Sequence, residues 1–566
     1  MIVGLDMGGS NIDGVIIKDG RIIKTIKRPV DREDLFQSIW TTIEELLTGY
    51  DTSQIKRLNL STTVSTNAIV ENTTSPVGMI IQEGPGLHRE FSACRGEKQF
   101  ISGYADHRGR TVKDLTPHEI TDAITSFKEN GLHSCAVITK FSTRNPSHEI
   151  KINDMLTQHG FDNITLGHRI SGRLNFPRRV HTSYLNAAVR HTFKDFSQHI
   201  TRSLEKKGIS APVFILKADA GTMDIQTAEQ RPVETILSGP AASFMGITAL
   251  ETLQTPDTDA ILLDVGGTTT DIFFLADGIG LFEPAGARIG EYNTLVRAIY
   301  SVSIGLGGDS SIGVENGTIL IGPRREGKPY AFGGPAPTPT DAMLTLGLMD
   351  TTDQTVRDKA RAAMELLHHT ADAGSPATTP ARTAERIAER TAELVLETMA
   401  KTIKDKTDTL LQQINARPVY TVRELLHGKT IQPTSIHIIG GPARALAPIL
   451  EQHYNLPCHY PKNYHVANAI GAALARPTAE ITMVADTSQG ILSVPERGIH
   501  EKIPKNYSLD QAKERALQLL TDSEITEASS FNMVRGFRTT GKNIRIKAQI
   551  KPGHIQELRH GDPHES

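Results

Sequence analysis

Two short segments carry residue types and spacing suited to handling a polyphosphate. Gly4-Leu-Asp-Met-Gly-Gly-Ser-Asn-Ile-Asp-Gly and Leu262-Leu-Asp-Val-Gly-Gly-Thr-Thr-Thr-Asp-Ile each run from an apolar stretch into an aspartate, then a Gly-Gly turn, hydroxyl or amide side chains and a second apolar stretch. The copies lie 258 residues apart without a gap, and seven of seventeen aligned positions are identical, among them Asp6/Asp264, Gly8/Gly266, Gly9/Gly267 and Asp13/Asp271. Glycines at Gly8, Gly9, Gly266 and Gly267 let backbone N–H groups approach phosphate oxygens, and Ser10, Asn11, Thr268 and Thr269 add side-chain donors. Asp6 and Asp264, at the strand ends, are expected to face each other across a cleft and hold Mg²⁺ through its waters, with Asp271 supporting the second turn. These three aspartates are the catalytic candidates.

A third glycine pair lies far downstream. His437-Ile-Ile-Gly-Gly-Pro-Ala-Arg-Ala-Leu-Ala-Pro448 reads as a strand, a turn and the start of a helix, so that Gly440 and Gly441 allow an adenine ring to lie against the backbone. The small residues of Val466-Ala-Asn-Ala-Ile-Gly-Ala-Ala-Leu-Ala475 predict a close-packed helix after it.

Two phosphate hairpins followed by an adenosine turn resemble the duplicated ribonuclease-H-like superfamily of actin, heat-shock ATPases and sugar kinases. Within it the chain is similar to the ATP-binding subunit of the hydantoinase/5-oxoprolinase family, whose relatives include kinase-like subunits of acetone and acetophenone carboxylases. The likeness is carried by Ser61-Thr-Thr-Val-Ser-Thr-Asn-Ala-Ile-Val-Glu71, Phe141-Ser-Thr-Arg-Asn-Pro-Ser-His-Glu149, Leu237-Ser-Gly-Pro-Ala-Ala-Ser243, Gly305-Leu-Gly-Gly-Asp-Ser-Ser311 and Pro337-Thr-Pro-Thr-Asp-Ala342. It departs at Ile12, where the family has Thr, at Tyr300-Ser-Val-Ser-Ile-Gly305, which lacks the family's acid and histidine, and between Gly322 and Pro335.

The resemblance implies an α/β protein with a duplicated, two-lobed actin-like ATPase fold and a small C-terminal α+β appendage. It implies ATP and Mg²⁺ as cofactors, with Gly307 and Gly308 added to the nucleotide site. It also implies phosphorylation or activation of a carbonyl in a cyclic amide or ketone for hydrolysis or carboxylation, beside a separate hydantoinase B-type subunit. Thr62, Thr63, Thr66 and Asn67 resemble a family loop whose donors orient a carbonyl or phosphate oxygen; the same residues also read as an N-cap cluster for a helix from Asn67. A regulatory or reactivating ATPase acting on a partner protein is the rival reading, favoured by the altered segment before Gly305; an independent small-molecule kinase is a third.

The expected lobes are residues 1–170 and 171–480, with the appendage at 481–566. Expected elements include helices at about 33–48, 381–415 and 508–521 and a buried strand at 134–140. Ile387, Leu394, Val395, Met399, Ile403 and Leu410 form the core-facing stripe of the long helix. His369–Pro380 reads as a surface loop, and the tail after Lys551 as frayed.

Bulk numbers narrow the class. The 566 residues carry 61 Lys+Arg against 64 Asp+Glu, a net charge of −3, without the basic footprint of a nucleic-acid binder. No apolar run approaches the ~18 residues that span a bilayer, and the amino terminus shows no secretory pattern. Three cysteines, Cys94, Cys135 and Cys458, form no metal or disulfide framework, and a reducing cytoplasm is expected. Scattered His107, His148, His181 and His465 give no transition-metal spacing. Lys140 and Arg144 flank the Phe141 loop, as phosphate neutralisers or solvated charges, and Arg178 and Arg179 read as a surface basic pair. Homo-oligomerisation is left open.

Overall fold

The computed structural model describes residues 1–9, 11–31, 34–251, 253, 258–371, 381–416, 430–535 and 538–559. Ser10, residues 372–380 of the expected surface loop, and the tail after 559 lie outside the described residues.

The first sheet is built from β1 (Ile2–Met7), β2 (Asn11–Lys18), β3 (Arg21–Pro29) and β4 (Arg57–Ser61). A second, smaller sheet of the same lobe holds β5 (Val77–Gln82), β6 (Glu97–Phe100), β7 (Ser134–Thr139) and β8 (Asn163–Leu166) in the order β8-β7-β5-β6. The chain then returns to the first sheet through β9 (Val213–Leu216) and β10 (Thr222–Asp224), giving the order β10-β9-β4-β1-β2-β3. The first sheet thus takes strands from both sides of residue 170. A 31-residue helix, Phe176–Lys206, carries the chain back so that β9 can pair in parallel with β4.

The second lobe repeats the plan. Strands β11 (Ala260–Val265), β12 (Thr270–Ala276), β13 (Ile279–Gly280), β14 (Val302–Ile304), β15 (Ser435–Ile439) and β16 (Cys458–His459) form a sheet ordered β13-β12-β11-β15-β16, with β14 beside β12. The central order β3-β2-β1-β4 thus matches β13-β12-β11-β15, down to the turn after the second strand. Asp19 and Gly20 have φ of 50° and 80°, Asp277 and Gly278 52° and 72°, the positive pair a tight hairpin requires. This is a duplicated α/β fold of the actin-like kind.

Alternation along the strands gives each sheet two apolar faces. Val3, Leu5 and Ile16 pack outward against Ile39 and Ile43 of the helix Leu35–Leu47 and Phe193 and Ile200 of the long crossover. Ile2, Val15 and Ile17 meet Leu262, Phe273 and Leu275 of the second lobe in one shared core, filled by the helices Ser238–Leu250 and Ala467–Leu474. Those helices touch backbone to backbone: a Cβ on Gly246 would lie 2.6 Å from the Ala467 carbonyl carbon, and one on Gly471 2.9 Å from that of Met245. Across the other face of the second sheet lies the helix Ala381–Ala416, with Val395, Met399, Ile403 and Leu410 buried. Leu394, expected on this stripe, is 50% exposed, because its neighbour Val395 takes the inward position.

The C-terminal sheet comprises β17 (Ala479–Asp486), β18 (Ile491–Val494), β19 (Ile499–Lys502), β20 (Glu524–Arg535) and β21 (Arg538–Ile550), ordered β19-β18-β17-β21-β20 and backed by the helix Leu509–Leu519. Arg108 holds it to the first lobe through three hydrogen bonds to Asp486, at 2.8 to 3.1 Å. The segment after Lys551 is tied down, correcting the expectation of fraying through Arg559: Ile555 N–H donates to Leu474 O (2.7 Å) and Arg559 N–H to Gly20 O (2.8 Å). No helix among the described residues is long and apolar enough to cross a membrane.

Candidate functional site: the paired hairpins

Both hairpins close in the same way. Asp6 stands opposite Asp13 and Asp264 opposite Asp271, while Gly8 N–H donates to Asn11 O (3.0 Å) and Gly266 N–H to Thr269 O (2.9 Å). Among the described residues, the N–H groups of Gly267 and Thr268 donate to no protein acceptor, as an anion-binding turn requires. Thr270 Oγ1 instead donates to Leu306 O (2.6 Å), so the hydroxyl absent at Ile12, a fully buried residue, is a tether to a neighbouring loop.

The glycine turns around the second hairpin support it. Gly308 N–H donates to Gly266 O (2.9 Å), Asp309 N–H to Gly267 O (2.6 Å), and Gly307 N–H to Ser310 Oγ (2.8 Å). A Cβ on Gly307 would sit 2.6 Å from the Gly267 backbone. These N–H groups are thus engaged within the protein rather than open to phosphate. Gly440 has φ of +94°, and a side chain there would strike the Val265 carbonyl and stand 2.9 Å from Asp264 Oδ1. Its close approach is to the hairpin strand; Gly441, exposed with open space around it, is the one available to a ring.

Electrostatically the cleft is under-neutralised. Burial, and then the charges of Asp13 and Asp264, raise the Asp6 carboxyl to about 7; burial and Asp264 raise Asp271 to about 7 as well. Burial likewise raises Asp13, which pairs with Lys27 at 2.9 Å. Among the described residues, Asp6 Oδ1 and Asp13 Oδ1 are buried and accept no hydrogen bond. Asp264 Oδ2 accepts from Ser243 Oγ (2.6 Å) and Asn468 Nδ2 (3.2 Å), and Asp271 accepts from Ser303. Buried carboxylate oxygens without donors, close to further carboxylates, fit a hydrated divalent cation.

Beside β1, β4 places Ser61 against Asp6, so Thr62 and Thr63 leave the sheet at the edge where the first hairpin turns. The following helix begins at Val64, not Asn67. Thr62 is buried; its Oγ1 accepts from Val64 N–H (3.2 Å) and its carbonyl from Ser238 Oγ (2.9 Å), while Asn67 Nδ2 donates to Thr63 Oγ1 (3.3 Å). Thr63 is the N-cap residue of this helix but its side chain makes no cap hydrogen bond, and Thr66 remains half-buried on the first turn.

Sequence reasoning passed over Ser243 and Asn468, which hold Asp264, although both lie in segments it singled out. It also passed over Asp13, whose identity with Asp271 was visible in the repeat. Arg325, 2.8 Å from Asp309 and beside Thr268, falls between Gly322 and Pro335, where the wording departs from the family, whereas Asp309 belongs to the matching glycine-rich segment. Other singled-out residues are structural. Glu149 is fully buried and accepts from Thr139 N–H (2.8 Å), His168 N–H (2.9 Å) and His168 Nδ1 (2.6 Å). Arg179 is also fully buried, correcting the surface pair, and donates to Arg173 O (2.8 Å) because the helix Phe176–Lys206 turns it inward; Arg178 donates to Thr294 O (2.9 Å). Lys140 donates to Pro85 O at 2.8 Å. A cavity of about 420 Å³ lies apart from both hairpins, among Lys217, Asp219, Glu234 and Arg297, whose charges meet one another at 3.4 to 3.9 Å.

Comparison with known proteins gives the context. A model of the hydantoinase/oxoprolinase family matches residues 179–481, and one of the hydantoinase/oxoprolinase N-terminal region matches residues 2–160. The chain is 25% identical to caprolactamase subunit alpha of Pseudomonas jessenii over 386 residues, 61% of this chain and 54% of that one. It is 26% identical to 5-oxoprolinase of Saccharomyces cerevisiae over 263 residues, 45% of this chain and 20% of that one. The chain thus spans about half the length of one curated relative and a fifth of the other. Among solved structures, a nucleotide-free acetone carboxylase superposes with TM-score 0.70 at 14% identity, covering 100% of this chain and 89% of that one. The ATP-dependent caprolactamase from Pseudomonas jessenii does so with TM-score 0.67 at 18% identity, covering 97% and 87%. With two family models spanning both lobes of a fold that these structures share, the chain belongs to the hydantoinase/oxoprolinase family.

Proposed function

We propose that the chain is an ATP-dependent activating subunit that transfers a phosphoryl group to the carbonyl oxygen of a cyclic amide or ketone, readying it for hydrolysis or carboxylation. The observation that carries this is the pairing of Asp6/Asp13 with Asp264/Asp271 in duplicated hairpins, with acceptor oxygens left over and open N–H groups on the second turn. Asp6 and Asp264 would hold Mg²⁺ through its waters, and the bound cation would neutralise charge on the polyphosphate. Gly267 and Thr268 N–H would grip phosphate oxygens, and Gly441 would border the adenine.

The chemistry is mainly positioning. The acceptor's carbonyl oxygen attacks the terminal phosphorus, the bond to the bridging oxygen breaks, and its electron pair leaves with ADP. Thr63, Thr66 and Asn67, beside the Asp6 strand end, are the groups that would orient the acceptor. Relatives named as a caprolactamase alpha subunit and as 5-oxoprolinases support a cyclic amide, and a carboxylase neighbour supports a ketone. A hydantoinase B-type subunit would complete the reaction in the cytoplasm.

The rival reading, an ATPase that regulates a partner protein, draws on Tyr300-Ser-Val-Ser-Ile-Gly305, which lacks the family's acid and histidine and whose Ser303 donates to Asp271. Mg²⁺-ATP turnover by wild type and Asp264→Ala, with hydantoins, 5-oxoproline, caprolactam and small ketones, separates the two. Stimulation by one compound that is lost in the variant supports the activating enzyme. Slow, variant-sensitive turnover indifferent to every compound, with or without the B-type subunit, supports the regulator.

A further inference from the structure

Five carboxylates, those of Asp6, Asp13, Asp264, Asp271 and Asp309, surround the hairpins, and among the described residues Lys27 pairs with Asp13 and Arg325 with Asp309. Lys27 is further committed to the His465 carbonyl at 3.0 Å. Arg325 stands on the second hairpin's turn: its Nη2 is 2.8 Å from Asp309 Oδ2, and its Nη1 donates to Thr268 Oγ1 at 3.4 Å. Its side chain is 25% exposed, so the guanidinium lies at the protein surface beside the turn.

The surrounding backbone explains how it is held. Ser311 N–H and Oγ both bond Arg324 O, at 2.9 and 3.0 Å, and Arg325 Nε donates to Gly327 O at 3.0 Å. The segment carrying Arg325 is thereby fixed to the same Gly307–Ser311 turn that supports Gly266 and Gly267. Asp309 keeps a second bond, from Thr340 Oγ1 at 3.1 Å, and so remains anchored if Arg325 leaves it.

We propose that Arg325 is a catalytic residue of the phosphoryl transfer, turning from Asp309 to the terminal phosphate and stabilising its charge as the bond to ADP breaks. This rests on the nucleotide reading above. Arg325 forms no covalent bond and loses no proton. Its planar fork matches two phosphate oxygens, which an ammonium cannot do. Asp309 serves as the resting partner that keeps the guanidinium beside Thr268 until a more highly charged one arrives.

The test measures single-turnover ATP cleavage and the affinities for Mg²⁺-ATP and Mg²⁺-ADP in wild type, Arg325→Ala, Arg325→Lys and Asp309→Asn, with the unfolding temperature of each. Arg325→Ala is expected to slow cleavage about 10³-fold, the scale of an arginine that meets a transferring phosphoryl group, while ADP affinity changes less than about threefold. Arg325→Lys should fall between, and Asp309→Asn should lose far less than Arg325→Ala. Should the alanine variant not fold, Arg325→Lys and Arg325→Gln carry the comparison. Cleavage at the wild-type rate without the guanidinium overturns the assignment, as does an equal loss in Asp309→Asn, which would make Arg325 only a loop tie. A wild type that binds no Mg²⁺-ATP overturns this inference together with the reading beneath it.

Discussion

Asp6 and Asp264 occupy the same register position in two copies of one hairpin, each facing the aspartate seven residues further on, Asp13 and Asp271. The equivalence extends to the neighbouring parallel strand, which places Ser61 beside Asp6 and Ile439 beside Asp264. Ser61 ends in the Thr62 loop and Ile439 in Gly440, so one plan is used twice with different edges: hydroxyls on one side, bare backbone on the other.

The raised carboxyls make the metal-free protein sensitive to pH. Asp6 and Asp271, ordinarily near 3.8, are held near 7, so between those values the folded chain keeps protons that the unfolded chain has lost. Stability from this source is complete below about 4 and falls as pH rises towards 7. In EDTA the unfolding temperature should drop from pH 5 to 7.5, and Mg²⁺ with ATP should restore most of the loss. Asp6→Asn should flatten the dependence; an equal slope in that variant counts against the electrostatic assignment.

The two glycines of the third turn should separate in their effects. Gly440→Ala forces a side chain into positive φ and onto the Val265 carbonyl, at a cost of about 3 kcal/mol or more in chemical denaturation. Gly441→Ala points into open space and should alter stability by less than about 0.5 kcal/mol. If adenine lies there, the same change weakens ATP binding without moving the denaturation midpoint. Unchanged affinity places the ring elsewhere.

Glu149 tests the distinction between motif and mechanism. Replacing it with Gln turns one acceptor oxygen into a donor facing Thr139 N–H or His168, inside a fully buried site. A loss of about 3 kcal/mol is expected. Nucleotide affinity per folded molecule should stay at the wild-type level. Selective loss of ATP binding would instead give Glu149 a functional role.

What could be read from the sequence was what repeats. The shared DxGG turns and Asp-Gly hairpins located the two equivalent hairpins and placed Asp6 and Asp264 at their strand ends, because a strand and a tight turn are local in sequence. Interactions between distant segments were not legible. Ser243 and Asn468 reach Asp264 only because two small-residue helices cross at backbone contact, which depends on Gly246 and Gly471 meeting in space. Likewise β9 joins the first sheet only after a 31-residue helix, a pairing with β4 that no local signal shows. Leu394 shows the limit of helical periodicity: in Leu394-Val395 both neighbours are apolar, and packing chose the second.

The most direct test of the central claim is calorimetric titration of Mg²⁺-ATP into the purified chain, beside Asp264→Asn. The account predicts binding of one ATP per chain that requires Mg²⁺, weakened about 100-fold in the variant, a change of about 2.7 kcal/mol, while the fold stays intact by circular dichroism. Absence of ATP binding by the wild type, or binding that neither Asp264→Asn nor Asp6→Asn affects, would contradict it.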